Sequence, residues 1–286
     1  MEILFAWISI FALEVLVQWL KRFFGNGIPY VRFGNGENNL LVFSGGPGND
    51  PPSGLMLRMF TSGFKRISQS YVIYAVTRKF GLPEGYTTRD MSEDYAAMIR
   101  DEFDGGPVDV VGVSYGGLIA QHLAADHPDL IRRLVIAMAA YKVGDEGKQL
   151  DMRYAELMSQ GKTREASTTM ISILYPGGIK KHLLKFFIWL FSPLMSSKPT
   201  NPMDLLVEAK AECEHDSKNR LAEINVPTFV IAGDNDFYFP EDLYRETAAG
   251  IPNARLILYH GVGHMAMGKQ FDEDVLEFLS DNESED

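Results

Sequence analysis

Short, continuous apolar runs recur along the chain between turn residues: Ser70 to Val76, Val108 to Val113, Leu134 to Ala139, Pro227 to Ala232 and Arg255 to Tyr259. Runs of this length, rich in β-branched residues, read as strands buried on both faces. Between them the period changes to that of a helix. Asp90 to Phe103 is one such stretch, with Asp90 or Ser92 as candidate caps and Ala97, Met98 and Ile99 as apolar positions. Others run from about Leu118 to Asp126, from Pro240 onward, and from Gln270 to Leu279. Near the start, Ile28 to Phe33 and Leu40 to Phe43 flank the turn residues Gly34-Asn35-Gly36-Glu37-Asn38, which predicts a hairpin. Strands alternating with helices predict an α/β protein with a mainly parallel central sheet and helices on both faces.

The alternation stops between residues 141 and 225. That stretch is helical in character and rich in Met, Lys and Glu. It contains an apolar run, Leu183 to Phe191, too short to span a bilayer. The run reads as the core helix of a lid or as a surface facing a greasy substrate. The chain therefore divides into a core, residues 25–140 and 226–286, and a helical insertion, residues 141–225.

Residues 1–24 form a third region. Ile3 to Leu20 is apolar apart from Ser9, Glu14 and Gln18, and Lys21 and Arg22 follow. At about 1.5 Å per residue such a helix reaches across a hydrocarbon core. Glu14 costs roughly 3 kcal/mol there, which the Leu, Ile, Val and Phe around it offset at roughly 0.5 kcal/mol each. The charges after the apolar run are the reverse of a secretory signal, and they would leave the body of the protein in the cytoplasm. Glu14, Gln18 and Arg22 share one helical face, so a helix lying in the membrane interface, or one docked in a soluble cytoplasmic protein, also fits.

Composition narrows the chemistry. The 286 residues suit one large α/β domain or two small ones, and 46% hydrophobic content fills a sizeable core. A net charge of -11 with no basic stripe argues against a nucleic-acid partner. Cys213 is the single cysteine, so no internal disulfide forms. No Cys/His cluster has metal-ligand spacing and no phosphate loop of the Gly-x-x-x-x-Gly-Lys type is present. The acidic tail, Asp281 to Asp286, reads as solvated.

The candidate chemistry lies where the run Val108 to Val113 ends. Gly112 and Gly116 flank Ser114 at two residues either side. A serine on a sharp strand-to-helix turn needs small neighbours, and the turn lifts its hydroxyl above the sheet. Two further strand ends carry acids and histidines, in Gly233-Asp234-Asn235-Asp236 and His260-Gly261-Val262-Gly263-His264. A serine hydroxyl needs a base to take its proton, and that base needs an acid to orient it. The loop Ser44-Gly45-Gly46-Pro47-Gly48 exposes backbone N–H groups. Pro47 has none, so Gly46 is the best-placed donor.

On these motifs, residues 25 to 280 resemble the α/β-hydrolase superfamily. The resemblance implies Ser114 as nucleophile, Asp236 as acid (in Gly-x-x-Asp followed by Phe239-Pro240) and His264 as base. It implies an oxyanion hole from the backbone N–H groups of Gly46 and Tyr115, no cofactor and no metal, and a helical cap over residues 141–225. Asp234 is the rival acid, read as a turn residue. His122, His127, His182, His215 and His260 are read as structural or surface histidines. Many relatives carry His-Gly where this chain has Ser44-Gly45, which leaves the side-chain bracing of that loop open. The expected reaction is hydrolysis of a carboxylic ester with an apolar acyl part. The Gly-Gly-Pro-Gly loop also resembles proline iminopeptidases, for which Glu208, Glu212 and Glu214 are candidate amine-binding carboxylates. A C–C bond hydrolase, a cofactor-free perhydrolase and a non-catalytic binding protein on the same fold are the other readings.

Overall fold

The computed structural model describes residues 21–46, 48–169, 189 and 199–281. One eight-stranded sheet organises them, built from β1 (Lys21–Phe23), β2 (Pro29–Phe33), β3 (Asn38–Phe43), β4 (Tyr71–Val76), β5 (Val108–Val113), β6 (Ile131–Ala137), β7 (Thr228–Gly233) and β8 (Arg255–Tyr259). The described helices are α1 (Gly54–Ser62), α2 (Ile67–Ser70), α3 (Thr88–Glu102), α4 (Tyr115–Asp126), α5 (Asp145–Ser159), α6 (Thr163–Thr169), α7 (Pro202–Glu214), α8 (Glu241–Gly250) and α9 (Lys269–Ser280). Strand order is β1-β2-β4-β3-β5-β6-β7-β8. β3 to β8 run parallel, and β1 and β2 form an antiparallel edge. This is the α/β architecture that the alternating pattern predicts.

The central strands are buried on both faces because helices cover both. Met91, Tyr95 and Ile99 of α3, Leu118 and Leu123 of α4, and Leu243 and Tyr244 of α8 pack on one face. Phe64, Ile67 of α2, and Phe271, Val275 and Phe278 of α9 pack on the other. β5 and β7 are buried at every position, which accounts for their unbroken apolar reading.

Three expectations are corrected. First, β2 and β3 do not form a hairpin: β4 lies between them, antiparallel to β2 and parallel to β3. The connecting loop instead closes on the start of β4. A Cβ on Gly36 would fall 1.9 Å from the Ser70 carbonyl carbon, so the glycine serves a close backbone approach. Second, the N-terminal helix predicted over residues 1–24 does not extend through its last four. Lys21–Phe23 pairs with Pro29–Val31 as an edge strand, and Gly25 to Gly27 is the tight turn between them. The free edge of β2 and the stacking of Phe24 on Tyr30, ring centroids 4.0 Å apart, outweigh continuation of the helix. The apolar stretch up to Leu20 lies outside the described residues, as does the run Leu183 to Phe191 except Trp189. Among the described residues no helix is long and apolar enough to cross a membrane. Third, α3 is capped by Thr87, not by Asp90 or Ser92. The Thr87 hydroxyl accepts from Asp90 N–H at 3.1 Å, and Asp90 Oδ2 accepts from Thr87 N–H at 2.8 Å.

Between β6 and β7 the chain leaves the sheet. Helices α5, α6 and α7 share a small core of their own, formed by Ala155, Leu157, Met158, Ala166, Leu205 and Ala209. Asp204 of α7 ties this unit to the strand ends. Its carboxylate takes the N–H groups of Gly81 and Leu82, both at 2.9 Å, and the Asn49 amide at 2.6 Å.

The reciprocal cap of α3 gives a measurable expectation. Thr87→Ala removes one half of it and costs about 1 kcal/mol of stability, read from urea unfolding midpoints, while Thr87→Ser retains most of that. Equal midpoints for all three proteins would show that the cap contributes nothing.

Candidate active site

β5 runs directly into Ser114, whose backbone sits at φ +50° and ψ −118°, a region that side-chain-bearing residues rarely enter. The packing around the turn holds it there. A Cβ on Gly112 would fall 2.7 Å from Gly117 Cα, and one on Gly116 would fall 2.1 Å from the Phe43 carbonyl oxygen. The Ser114 N–H donates to the Ala137 carbonyl at 2.8 Å, and the Ser114 carbonyl accepts from Gly117 N–H at 2.8 Å. Helix α4 begins at Tyr115, immediately after the serine and earlier than its apolar pattern implies.

The three residues drawn from three strand ends meet. Ser114 Oγ lies 2.9 Å from His264 Nε2, and His264 Nδ1 lies 2.8 Å from Asp236 Oδ2. The Asp236 side chain is fully buried. Its Oδ1 accepts the N–H groups of Tyr238 at 2.7 Å and Phe239 at 3.3 Å, and its Oδ2 also accepts the Tyr244 hydroxyl at 2.5 Å. The imidazole packs beside the Tyr238 and Phe239 rings, at centroid distances of 4.7 and 5.9 Å. With Nδ1–H donated to the carboxylate, Nε2 is left to accept from the serine hydroxyl.

The Ser44–Gly48 loop lies against the serine. A Cβ on Gly45 would come within 2.9 Å of Ser114 Cβ and 2.8 Å of the Val113 carbonyl oxygen, so only glycine permits this approach. Gly46 follows at φ +74°. The Tyr115 N–H is the first of α4 and has no acceptor within its own helix.

The competing residues are placed elsewhere. Asp234 accepts from Gly261 N–H at 2.7 Å and faces His260 Nδ1 at 2.8 Å at the surface. His127 pairs with Glu93 on the outside of the sheet. His122 and His215 are buried together, with ring centroids 5.0 Å apart. Burial, followed by the charge of Arg220, lowers His122 to about 4, and burial holds His215 well below the usual histidine range. His182 lies outside the described residues. Among the described residues no group of three or more His, Cys, Asp or Glu side chains is arranged to hold a metal ion.

Four residues that the motifs do not reveal also belong to this neighbourhood. Tyr238 and Tyr244 are set by the acid loop and the helix that follows it. Arg78, at the end of β4, is buried against Glu208 of α7. Its signal in the sequence is a charged residue directly after a buried strand, on the same sheet edge as Ser114. Asp151 of α5 accepts from the Tyr238 hydroxyl at 3.1 Å and shares a hydrogen bond with Glu212. Burial raises both carboxyls above their ordinary range. For Glu212 the neighbouring Asp151 adds to the rise, with Glu208 raising it further and Arg78 opposing. Of the candidate insertion carboxylates, Glu208 is thus engaged by Arg78, Glu212 by Asp151, and Glu214 is exposed.

Residues 57–170 match the family model described as the alpha/beta hydrolase fold. A 2-hydroxy-6-oxononadienedioate/2-hydroxy-6-oxononatrienedioate hydrolase of Cupriavidus pinatubonensis is 27% identical over 203 residues, covering 63% of this chain and 65% of the relative, just under two thirds of its length. The 3-oxoadipate enol-lactonase 2 of Acinetobacter baylyi is 28% identical over 218 residues, covering 72% of this chain and 75% of the relative. Among solved structures, the enol-lactonase from Burkholderia xenovorans superimposes with a TM-score of 0.70 at 21% identity, over 90% of this chain and 98% of that one.

The shared proton of Asp151 and Glu212 sets a pH dependence. A carboxyl raised in the folded state keeps its proton there and gives it up in the unfolded chain. Its stabilising contribution is therefore full below the unfolded value of 4.5 and is lost as pH climbs toward the folded value. Glu212→Gln offers Asp151 an amide N–H that does not titrate. Its melting temperature rises relative to wild type as pH goes from 5 to 8, by thermal unfolding; the opposite slope of the two buried histidines is common to both proteins and cancels. A difference that stays constant with pH would contradict this account.

Proposed function

Because the chain belongs to the α/β-hydrolase superfamily, we propose that it is a serine hydrolase that cleaves a carboxylic ester through an acyl-enzyme on Ser114. The observation that carries this reading is the continuous hydrogen-bonded chain from Ser114 through His264 to Asp236. In the proposed reaction, Ser114 Oγ attacks the ester carbonyl carbon and passes its proton to His264 Nε2. Asp236 stabilises the imidazolium and keeps its ring in plane. The developing oxyanion is received by the backbone N–H groups of Gly46 and Tyr115. His264 then gives its proton to the leaving alkoxide, which breaks the C–O bond and frees the alcohol. Water enters, His264 takes a proton from it, and the acyl group departs as a carboxylic acid.

The ester class draws support from relatives named for enol-lactones, which are internal esters. Helices α5 to α7 act as a cap in this reading, and the apolar run in the insertion favours a substrate with an apolar acyl group. A second reading, an aminopeptidase, is favoured by one observation. The paired carboxyls of Asp151 and Glu212 stand on the insertion, one hydroxyl away from the ring that packs on His264. An ammonium group placed there would meet a negative site.

Ser114→Ala and Asp236→Asn test the mechanism. Turnover of a chromogenic acyl ester falls by about 10³–10⁴-fold or more in each, and a fluorophosphonate probe labels Ser114 in wild type only. Wild-type activity on a prolyl-arylamide that exceeds activity on every acyl ester would replace the esterase reading by the second. Absence of both turnover and probe labelling in wild type would leave a binding protein on a hydrolase fold.

A further inference from the structure

Arg78 is the most heavily engaged buried charge among the described residues. Its side chain is 1% exposed and that of Glu208 is 0% exposed. The guanidinium donates through Nε to Glu208 Oε1 at 2.9 Å and through Nη2 to Glu208 Oε2 at 3.1 Å. It also donates through Nη1 to the Ser44 carbonyl at 3.0 Å, and through Nη2 to the carbonyls of Gly46 at 2.9 Å and Gly48 at 2.6 Å. Glu208 Oε2 in turn accepts the Gly48 N–H at 2.5 Å. Burial works against the charge, but the Glu208 carboxylate outweighs it and raises the pKa of Arg78, so the residue stays protonated.

We infer that Arg78 and Glu208 are positioning residues for the oxyanion hole, the guanidinium setting the Ser44–Gly48 loop and the carboxylate fastening that loop to helix α7 of the insertion. This rests on the serine-hydrolase reading. The peptide that carries the Gly46 N–H lies between two carbonyls, those of Ser44 and Gly46, that the same planar fork holds. Its tilt is therefore fixed from both sides. The second donor is held by the same pair. The Tyr115 hydroxyl donates to the Glu208 carbonyl at 3.0 Å, and the guanidinium carbon stands 4.8 Å from the centre of the Tyr115 ring. The loop supplies no brace of its own among the described residues, since the Ser44 hydroxyl is buried and has no hydrogen-bond partner. An ammonium in place of the guanidinium keeps the charge but cannot hold three carbonyls and a carboxylate in one plane.

A buried ion pair that serves only the fold is often replaceable by apolar side chains of similar volume. That property supplies the test. The double variant R78M/E208M removes both charges together, and R78K keeps the charge while losing the fork. Melting temperature, kcat and KM on a chromogenic acyl ester are measured for the full chain. For R78M/E208M, kcat is expected to fall about 10²-fold, as for loss of an oxyanion donor, with KM and melting temperature little changed. For R78K the same split is expected with a loss of about 10-fold or more. A folded R78M/E208M or R78K with wild-type kcat, or with a loss confined to KM, would overturn the inference. So would failure of both to fold, which would assign the pair to folding alone. Wild-type protein with no Ser114-dependent turnover would instead sink the serine-hydrolase reading beneath it.

Discussion

The backbone of Ser114 is held where an L residue does not rest by itself, at φ +50°. Strain of this kind costs of order 1–3 kcal/mol and persists only when the surroundings over-determine it. Here they do so by removing side chains. Bare backbone at Gly112, Gly116 and Gly117 lets α4, β3 and β5 approach closer than any Cβ allows, and Gly45 does the same for the neighbouring loop. A serine relaxed into a helical or extended turn would lower its hydroxyl into this packing and away from His264.

The rest of the arrangement follows from the direction of the strands. β3, β4, β5, β7 and β8 are parallel, so their C-terminal ends share one edge of the sheet. Residues distant in sequence thereby meet there: the loop after β3, Arg78 after β4, Ser114 after β5, Asp236 after β7 and His264 after β8. Asp236 rather than Asp234 faces the imidazole because the chain turns back on itself between them. Asp234 is taken up by Gly261 N–H and His260 at the surface, while Asp236 is buried with four donors around it.

Much of this was legible in the residues alone. Unbroken apolar runs mark strands buried on both faces, and the Gly-x-Ser-x-Gly pattern marks a turn that only small flanking residues permit. Ser114, Asp236 and His264 could be named because each stands at a strand end in a recognisable local context. What was not legible depended on pairing across the sheet. Whether β2 meets β3 or β4 is decided by an edge that no local turn encodes, and Gly34-Asn35-Gly36 suits either outcome. Lys21 to Phe24 read as the end of an apolar helix until β2 offers them an edge. Thr87 was passed over because the cap pattern there uses Asp rather than Glu three residues on. The pairings Arg78–Glu208 and Asp151–Glu212 join segments whose approach is set by the tertiary fold, and no spacing announces them.

The insertion departs from β6 and returns on β7, its immediate neighbour in the sheet. Its two feet therefore stand about one strand spacing apart, roughly 4.8 Å, whatever lies between them. Closing a longer excursion over such a gap costs little more than closing a short one, since the entropy grows only with the logarithm of length. Evolution is free to lengthen, shorten or exchange α5 and α6 without disturbing strand register. Helix α7 does not share that freedom, because Asp204 and Glu208 are already committed to loops of the sheet. Diversity among descendants of this scaffold should concentrate upstream of Asn201, leaving the last helix as the fixed hinge-post of a replaceable roof.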